Sequence, residues 1–116
     1  MKIFLVIFSI LLSSNQQVDE IFIQSNNHYT NGNYEAALDG YFEIINSGFE
    51  SSELYFNLGN TFYKLNNIPM ADLSVAQYYS ILGNKDMARN FAQRAKNGLT
   101  PYSSGWLVAD DIQNIN

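Results

Sequence analysis

The chain of 116 residues contains no cysteine, so disulfide bonds, thiolate metal sites and cysteine nucleophiles are excluded. It has a single histidine, and it lacks both the His-Glu-x-x-His pattern of metalloproteases and a Gly-rich phosphate loop. Charged residues make up only 15% of the chain and hydrophobic residues 47%, which is ample for the packed core of one domain. We therefore predict a folded, non-catalytic protein with no cofactor and no metal.

Basic residues are missing from much of the chain. Seven acidic residues and no Lys or Arg lie between Val18 and Tyr63, whereas five basic and two acidic residues lie between Lys64 and Gly98. Nucleic-acid affinity comes largely from neutralised phosphates, so an acidic front half disfavours that class of partner. We interpret the basic cluster as a solvated helix face and expect no nucleic-acid partner.

Long apolar runs are absent except at the amino terminus. There, residues 3–12 are apolar apart from Ser9, Lys2 precedes them, and small polar residues follow. The run is shorter than the ~20 residues of a membrane-spanning helix. We predict a secretory signal segment over residues 1–17, a helical domain over residues 18–116, and a secreted or periplasmic location after cleavage. The alternative is an apolar first helix that packs on the rest of the chain. An uncleaved segment is the only part that we expect to contact a membrane.

Turn residues and helix caps divide the remainder into six helical segments. Ala88, Ala92 and Ala95 illustrate the helical spacing, and no stretch alternates strictly between apolar and polar residues as a strand would. Short loops predict antiparallel neighbours. The expected helices are Val18 to Thr30, Tyr34 to Asn46, Ser51 or Ser52 to Leu65, a fourth with Pro69 in its first turn that ends at Leu82, Lys85 to Asn97, and a short one from Ser103 or Ser104 to about Asn114.

One stretch identifies the type of helix pair. Residues 55–62 have the order aromatic-x-x-Leu-Gly-x-x-aromatic, and Ala71 and Val75 follow at the spacing of a tetratricopeptide repeat. Small residues at Gly59 and Ala71 would let two helices approach closely. A weaker copy of this pattern lies one repeat length earlier, with Gln24 and His28 in place of the expected leucine and aromatic residue. Because the aromatic residue at that position normally faces inward, we expect His28 to pack. The matching pairs include Phe22 with Phe56, Asn26 with Asn60, Tyr29 with Tyr63 and Ala37 with Ala71.

The third helix pair has two possible alignments. Counting one full repeat onward places Arg89 at the position of Tyr55 and Ala92 at that of Leu58. Counting half a repeat instead makes Ala88, Ala92 and Ala95 the buried face of a second helix. The two alignments differ in which face of the fourth and fifth helices is buried.

The chain resembles tetratricopeptide proteins in two parts. The front half resembles those of bacterial aerotolerance operons, and the back half resembles the tetratricopeptide tail of periplasmic zinc metallopeptidases. The first resemblance rests on residues 32–37, 47–51, 58–60 and 63–65, and the second on residues 76–79, 83–84, Ala88 and 106–112. The resemblance implies an all-α fold of three stacked antiparallel helix hairpins, a solenoid, in the bacterial envelope.

In such folds the first helices of the hairpins line a concave groove. The resemblance therefore predicts a partner-binding groove made by Phe22, Asn26, Tyr29, Phe56, Asn60, Tyr63 and Lys64. Aromatic rings supply contact area, and asparagine amides both donate to and accept from a peptide backbone. The expected function is a scaffold or adaptor that binds a protein or peptide partner. The alternative is a regulatory fragment of an envelope enzyme such as a metallopeptidase.

Overall fold

A computed structural model describes the backbone of residues 2–116 and the side chains of residues 15–116. Over the described residues the protein has six α-helices and no strand, so the predicted all-α class is confirmed. The helices are α1 (Lys2–Thr30), α2 (Tyr34–Asn46), α3 (Ser52–Lys64), α4 (Ile68–Ile81), α5 (Lys85–Gly98) and α6 (Ser104–Gln113).

Polar side chains cap the starts of four helices, and of the two alternatives predicted for each of α3 and α6 the caps are Ser51 and Ser103. The side chains of Ser51, Asn67, Asn84 and Ser103 accept hydrogen bonds from backbone N–H groups in the first turns of α3, α4, α5 and α6. Three loops repeat one geometry, in which the second residue after the helix adopts a left-handed conformation and the backbone N–H of the next residue donates a hydrogen bond back into the last turn: Gly32 (φ 79°), Asn66 (φ 61°) and Gly83 (φ 80°). The first two are separated by one full repeat, and the third lies half a repeat further on.

The helices fall into two compact units, Met1–Gly48 and Phe49–Asn116. In the first unit α1 packs on α2, and Ala37, Tyr41 and Ile44 are the buried residues of α2. Gly40 allows the close approach, since a side chain there would collide with Ser25 of α1. Ser25 is itself buried and donates its hydroxyl proton to the Ile21 carbonyl, 2.7 Å away.

In the second unit α3 packs on α4, α4 on α5, and α6 on both α4 and α5. Gly59 meets α4 as the sequence suggested, because a Cβ atom on it would lie 3.3 Å from Val75 Cγ2 and 3.6 Å from the Ala71 carbonyl oxygen. The half-repeat alignment names the buried face of α5 correctly, since Ala88, Ala92 and Ala95 are buried there. Leu73, Ala76, Ala109 and Ile112 complete this core.

Helix α1 begins at Lys2 rather than at Val18, so the backbone of the predicted signal segment is continuous with the first helix. The side chains of its apolar run lie outside the described residues, as does Met1, and the prediction of a cleaved signal therefore stays a prediction. In the part of the chain that the structure describes, no helix is long and apolar enough to cross a membrane.

Candidate functional site

Helix α3 has two distinct faces. Leu54, Tyr55, Leu58, Gly59, Thr61 and Phe62 are buried. The opposite arc of the helix holds Glu53, Phe56, Asn60, Tyr63 and Lys64, all of them exposed. At about 100° per residue these five positions share about a third of the helix circumference. We call them the α3 stripe.

Large aromatic rings dominate the α3 stripe. Phe56 is 51% exposed and Tyr63 is 67% exposed, although both are aromatic residues that usually bury much of their area. The Phe56 ring is supported from one side by Tyr78 of α4, with ring centroids 5.6 Å apart. Asn60 lies between the two exposed rings and offers an amide to solvent. Four of the predicted groove residues, Phe56, Asn60, Tyr63 and Lys64, are therefore together on one exposed helix face.

The matching residues of the first unit have different surroundings. Phe22, Asn26 and Tyr29 are half-buried against α2. The Phe22 ring packs on Tyr41, whose hydroxyl donates a 2.6 Å hydrogen bond to Asn26 Oδ1. Tyr29 makes an edge contact with Tyr34 at 5.4 Å. These three side chains are together in the structure, but they stabilise the packing of α1 on α2.

The α3 residues are more exposed than their α1 counterparts, and one pair of matched positions in the following helices helps to explain this difference. Tyr41 in α2 corresponds to Val75 in α4, one repeat later, and valine has no hydroxyl with which to bond Asn60. Gln24 and His28 of α1, which correspond to the buried Leu58 and Phe62, are both exposed. The buried face of α1 is thus shifted by about a third of a turn relative to that of α3. The expectation that His28 packs inward is wrong, because the polar residues at these two positions favour solvent and α1 turns its aromatic side chains to α2 instead.

The basic residues of α5 do more than face solvent. Lys96 Nζ lies 2.6 Å from Asp110 Oδ1 and 2.9 Å from Gln113 Oε1, and it sits 4.5 Å above the Trp106 ring. Lys85 donates a 2.6 Å hydrogen bond to the Asn116 carbonyl, and Arg89 donates to the Ile115 carbonyl. These contacts hold α6 and the residues after it to α5, so this basic cluster has a structural role that the sequence interpretation missed.

The sequence also does not predict a row of four aromatic rings in successive contact across the second unit. The row runs from Phe56 to Tyr78, Tyr79 and Phe91, with successive centroid distances of 5.6, 5.1 and 5.8 Å. The Arg94 guanidinium lies 4.9 Å from the Phe91 centroid. The spacing of Tyr78 and Tyr79 along the sequence does not reveal that they contact rings of both neighbouring helices.

Two titratable groups of the second unit have shifted pKa values. Burial and the adjacent Glu50 raise the pKa of Tyr55, whose hydroxyl donates a 2.7 Å hydrogen bond to Glu50 Oε1. Burial raises the pKa of Asp72, and the Arg94 guanidinium 3.3 Å away lowers it in part. Both groups are explained by helix packing, and neither lies on the α3 stripe.

Within the described residues, no three His, Asp or Glu side chains come together as a possible metal site. No protein-family model matches this chain, and no curated protein matches it either. The α3 stripe is therefore the candidate site on the strength of its own exposure and composition.

Proposed function

We propose that this chain is a non-catalytic scaffold of the bacterial cell envelope that binds a partner peptide or helix. In this proposal its helices form a tetratricopeptide-like solenoid of antiparallel hairpins behind a signal segment, and the α3 stripe is the centre of the binding surface. The single observation that supports it best is the exposure of Phe56, Asn60 and Tyr63 in succession on a helix whose other face is fully packed.

The hairpin arrangement is supported by the order of side-chain contacts. Along α5 and the end of the chain, Arg89 meets Ile115, Gln93 meets Gln113, and Lys96 meets Asp110, so the two segments run in opposite directions. The recurring left-handed residue between helices, at Gly32, Asn66 and Gly83, adds support for a repeated helix-turn-helix unit.

The chemistry of the stripe suits protein recognition. Exposed aromatic rings are enriched in interfaces because they bury large areas with few rotatable bonds to fix. An asparagine amide can satisfy both a carbonyl and an N–H of a peptide backbone. Phe22, Asn26 and Tyr29 remain predicted contacts, but their packing on α2 leaves them less area to offer a partner.

The proposal is tested by capture of partner proteins on the purified protein from an envelope fraction, followed by affinity measurements on the partner recovered. Asn60→Ala and Tyr63→Ala should each weaken binding by about 1 to 3 kcal/mol, since a buried group on the partner loses its hydrogen bond or its aromatic contact. The two residues are about one turn apart, so their effects need not add.

Matched controls are available on the same unit. Asn90→Ala removes an exposed asparagine from α5, and Tyr102→Ala removes a tyrosine that is 77% exposed between α5 and α6. Both should leave affinity unchanged. Charge reversal at Lys85 and Arg89 should alter the salt dependence more than the affinity. Loss of binding in the controls, with Asn60 dispensable, would place the interface elsewhere.

A further inference from the structure

The α3 stripe has a charge order that flanks its rings. Glu53 lies at its first turn and Lys64 at its last, about 16 Å apart along the helix axis, with Phe56, Asn60 and Tyr63 between them. Glu53 and Lys64 are exposed, and no ion pair joins either of them to another residue in the described part of the chain. The stripe is therefore acidic at one end, aromatic in the middle and basic at the other end.

Such an order is complementary to itself when two copies lie antiparallel. A two-fold axis level with Gly59 would bring Glu53 of one copy opposite Lys64 of the other, twice, and each Phe56 opposite the other copy's Tyr63. Interfaces of this symmetry use the same patch on both subunits, so the patch must be complementary to a copy of itself rotated by 180°. A parallel arrangement would instead place like charges together.

We infer that the partner of the α3 stripe is a second copy of this chain, bound through antiparallel packing of α3 on α3. The inference rests on the proposed function, because it names the partner of the same surface. Two helices packed with their axes about 10 Å apart would bury the Phe56 and Tyr63 rings of both copies. A contact between two helices of this length lies at the small end of stable interfaces, so we expect a reversible dimer whose population depends on concentration.

The positions of Glu53 and Lys64 also suit the helix dipole, which favours an acid in the first turn and a base in the last. That role predicts an effect on the unfolding transition alone. Self-association predicts an effect on molecular mass, so the two roles are separated by measuring both.

The test uses sedimentation equilibrium of the full chain over about 1 to 500 μM, a range that brackets weak dimers. Glu53→Lys leaves lysine at both ends of the stripe, and Lys64→Glu leaves glutamate at both ends. Each variant alone should weaken self-association at least tenfold, whereas an equimolar mixture of the two should form a 1:1 heterodimer. The double variant, with both charges exchanged, should recover the dimer of the original chain.

Asp111→Lys is the matched control, because it makes the same change of charge at an exposed position of α6 and should leave the dimer intact. Circular dichroism checks that every variant is folded. A chain that stays monomeric throughout the range, or single variants that associate as the original does, would overturn the inference. A monomer that still captures another protein in an Asn60-dependent manner would overturn self-association while leaving the proposed function in place. A charge-dependent dimer supports both.

Discussion

Substitution of Gly59 by leucine tests the packing of α3 on α4 directly. A Cβ atom at this position would lie 3.3 Å from Val75 Cγ2 and 3.6 Å from Ser74 Cβ and the Ala71 carbonyl oxygen. The first carbon of a side chain therefore already requires a shift of a few tenths of an ångström, and leucine adds three more carbons at a helix contact where Ala71 and Ser74 are buried.

The expected loss follows from two opposing effects. Replacing a helical glycine gains up to about 1 kcal/mol of helix propensity. Overpacking a filled helix contact costs typically about 1 to 3 kcal/mol and sometimes more, and here the added carbons face backbone as well as side chains. We expect Gly59→Leu to lower the free energy of unfolding by roughly 2 to 4 kcal/mol, and therefore the Tm by on the order of 10 °C.

Thermal and urea unfolding followed by circular dichroism measure this change. Asn60→Leu is the matched control, because it places the same side chain one position further on the exposed side of α3, where we expect a change within about 0.5 kcal/mol. Equal Tm values for Gly59→Leu and the original chain would refute the close approach of the two helices.

Three further predictions concern other parts of the chain. Lys96→Ala should lower the free energy of unfolding by about 1 to 3 kcal/mol in urea titrations, because Lys96 is only 18% exposed and its loss leaves the half-buried Asp110 without its cation. Burial raises the pKa of Asp72 despite Arg94, so protonation of Asp72 is more favourable in the folded protein than in the unfolded chain. The resulting stabilisation is complete below the pKa that Asp72 has in the unfolded chain, and it is lost as pH rises through the pKa that Asp72 has in the folded protein. The stability of the original chain relative to Asp72→Asn should therefore fall from about pH 3 to pH 7, and a relative stability that rises would show that the ion pair dominates. Terminal sequencing of exported protein should find a start within residues 14–18, whereas an intact amino terminus would support the packed-helix alternative.

The sequence alone determined where most helices begin and end. The caps at Ser51, Asn67, Asn84 and Ser103 act within one turn, since they satisfy backbone groups that the helix leaves without partners. The close approach of α3 and α4 at Gly59 and Ala71 could also be predicted, because small residues at this spacing let two helices pack closely. The extent of α1 before Val18 could not, because the apolar run led to the prediction of a signal segment, with a packed first helix only as the alternative.

Only the tertiary structure decided which face α1 buries and which candidate residues are exposed. Phe22 and Phe56 occupy equivalent places in the sequence repeat, yet one packs on Tyr41 and the other is half exposed beside Tyr78. The side chain across the helix contact makes the difference, and it belongs to the next helix along the chain. A local sequence pattern predicts which residues share a helix face, but which neighbour covers that face depends on packing between residues farther apart in the chain. Here the Tyr41 hydroxyl donates a hydrogen bond to Asn26, whereas Val75, at the matching position, has no hydroxyl that could bond Asn60.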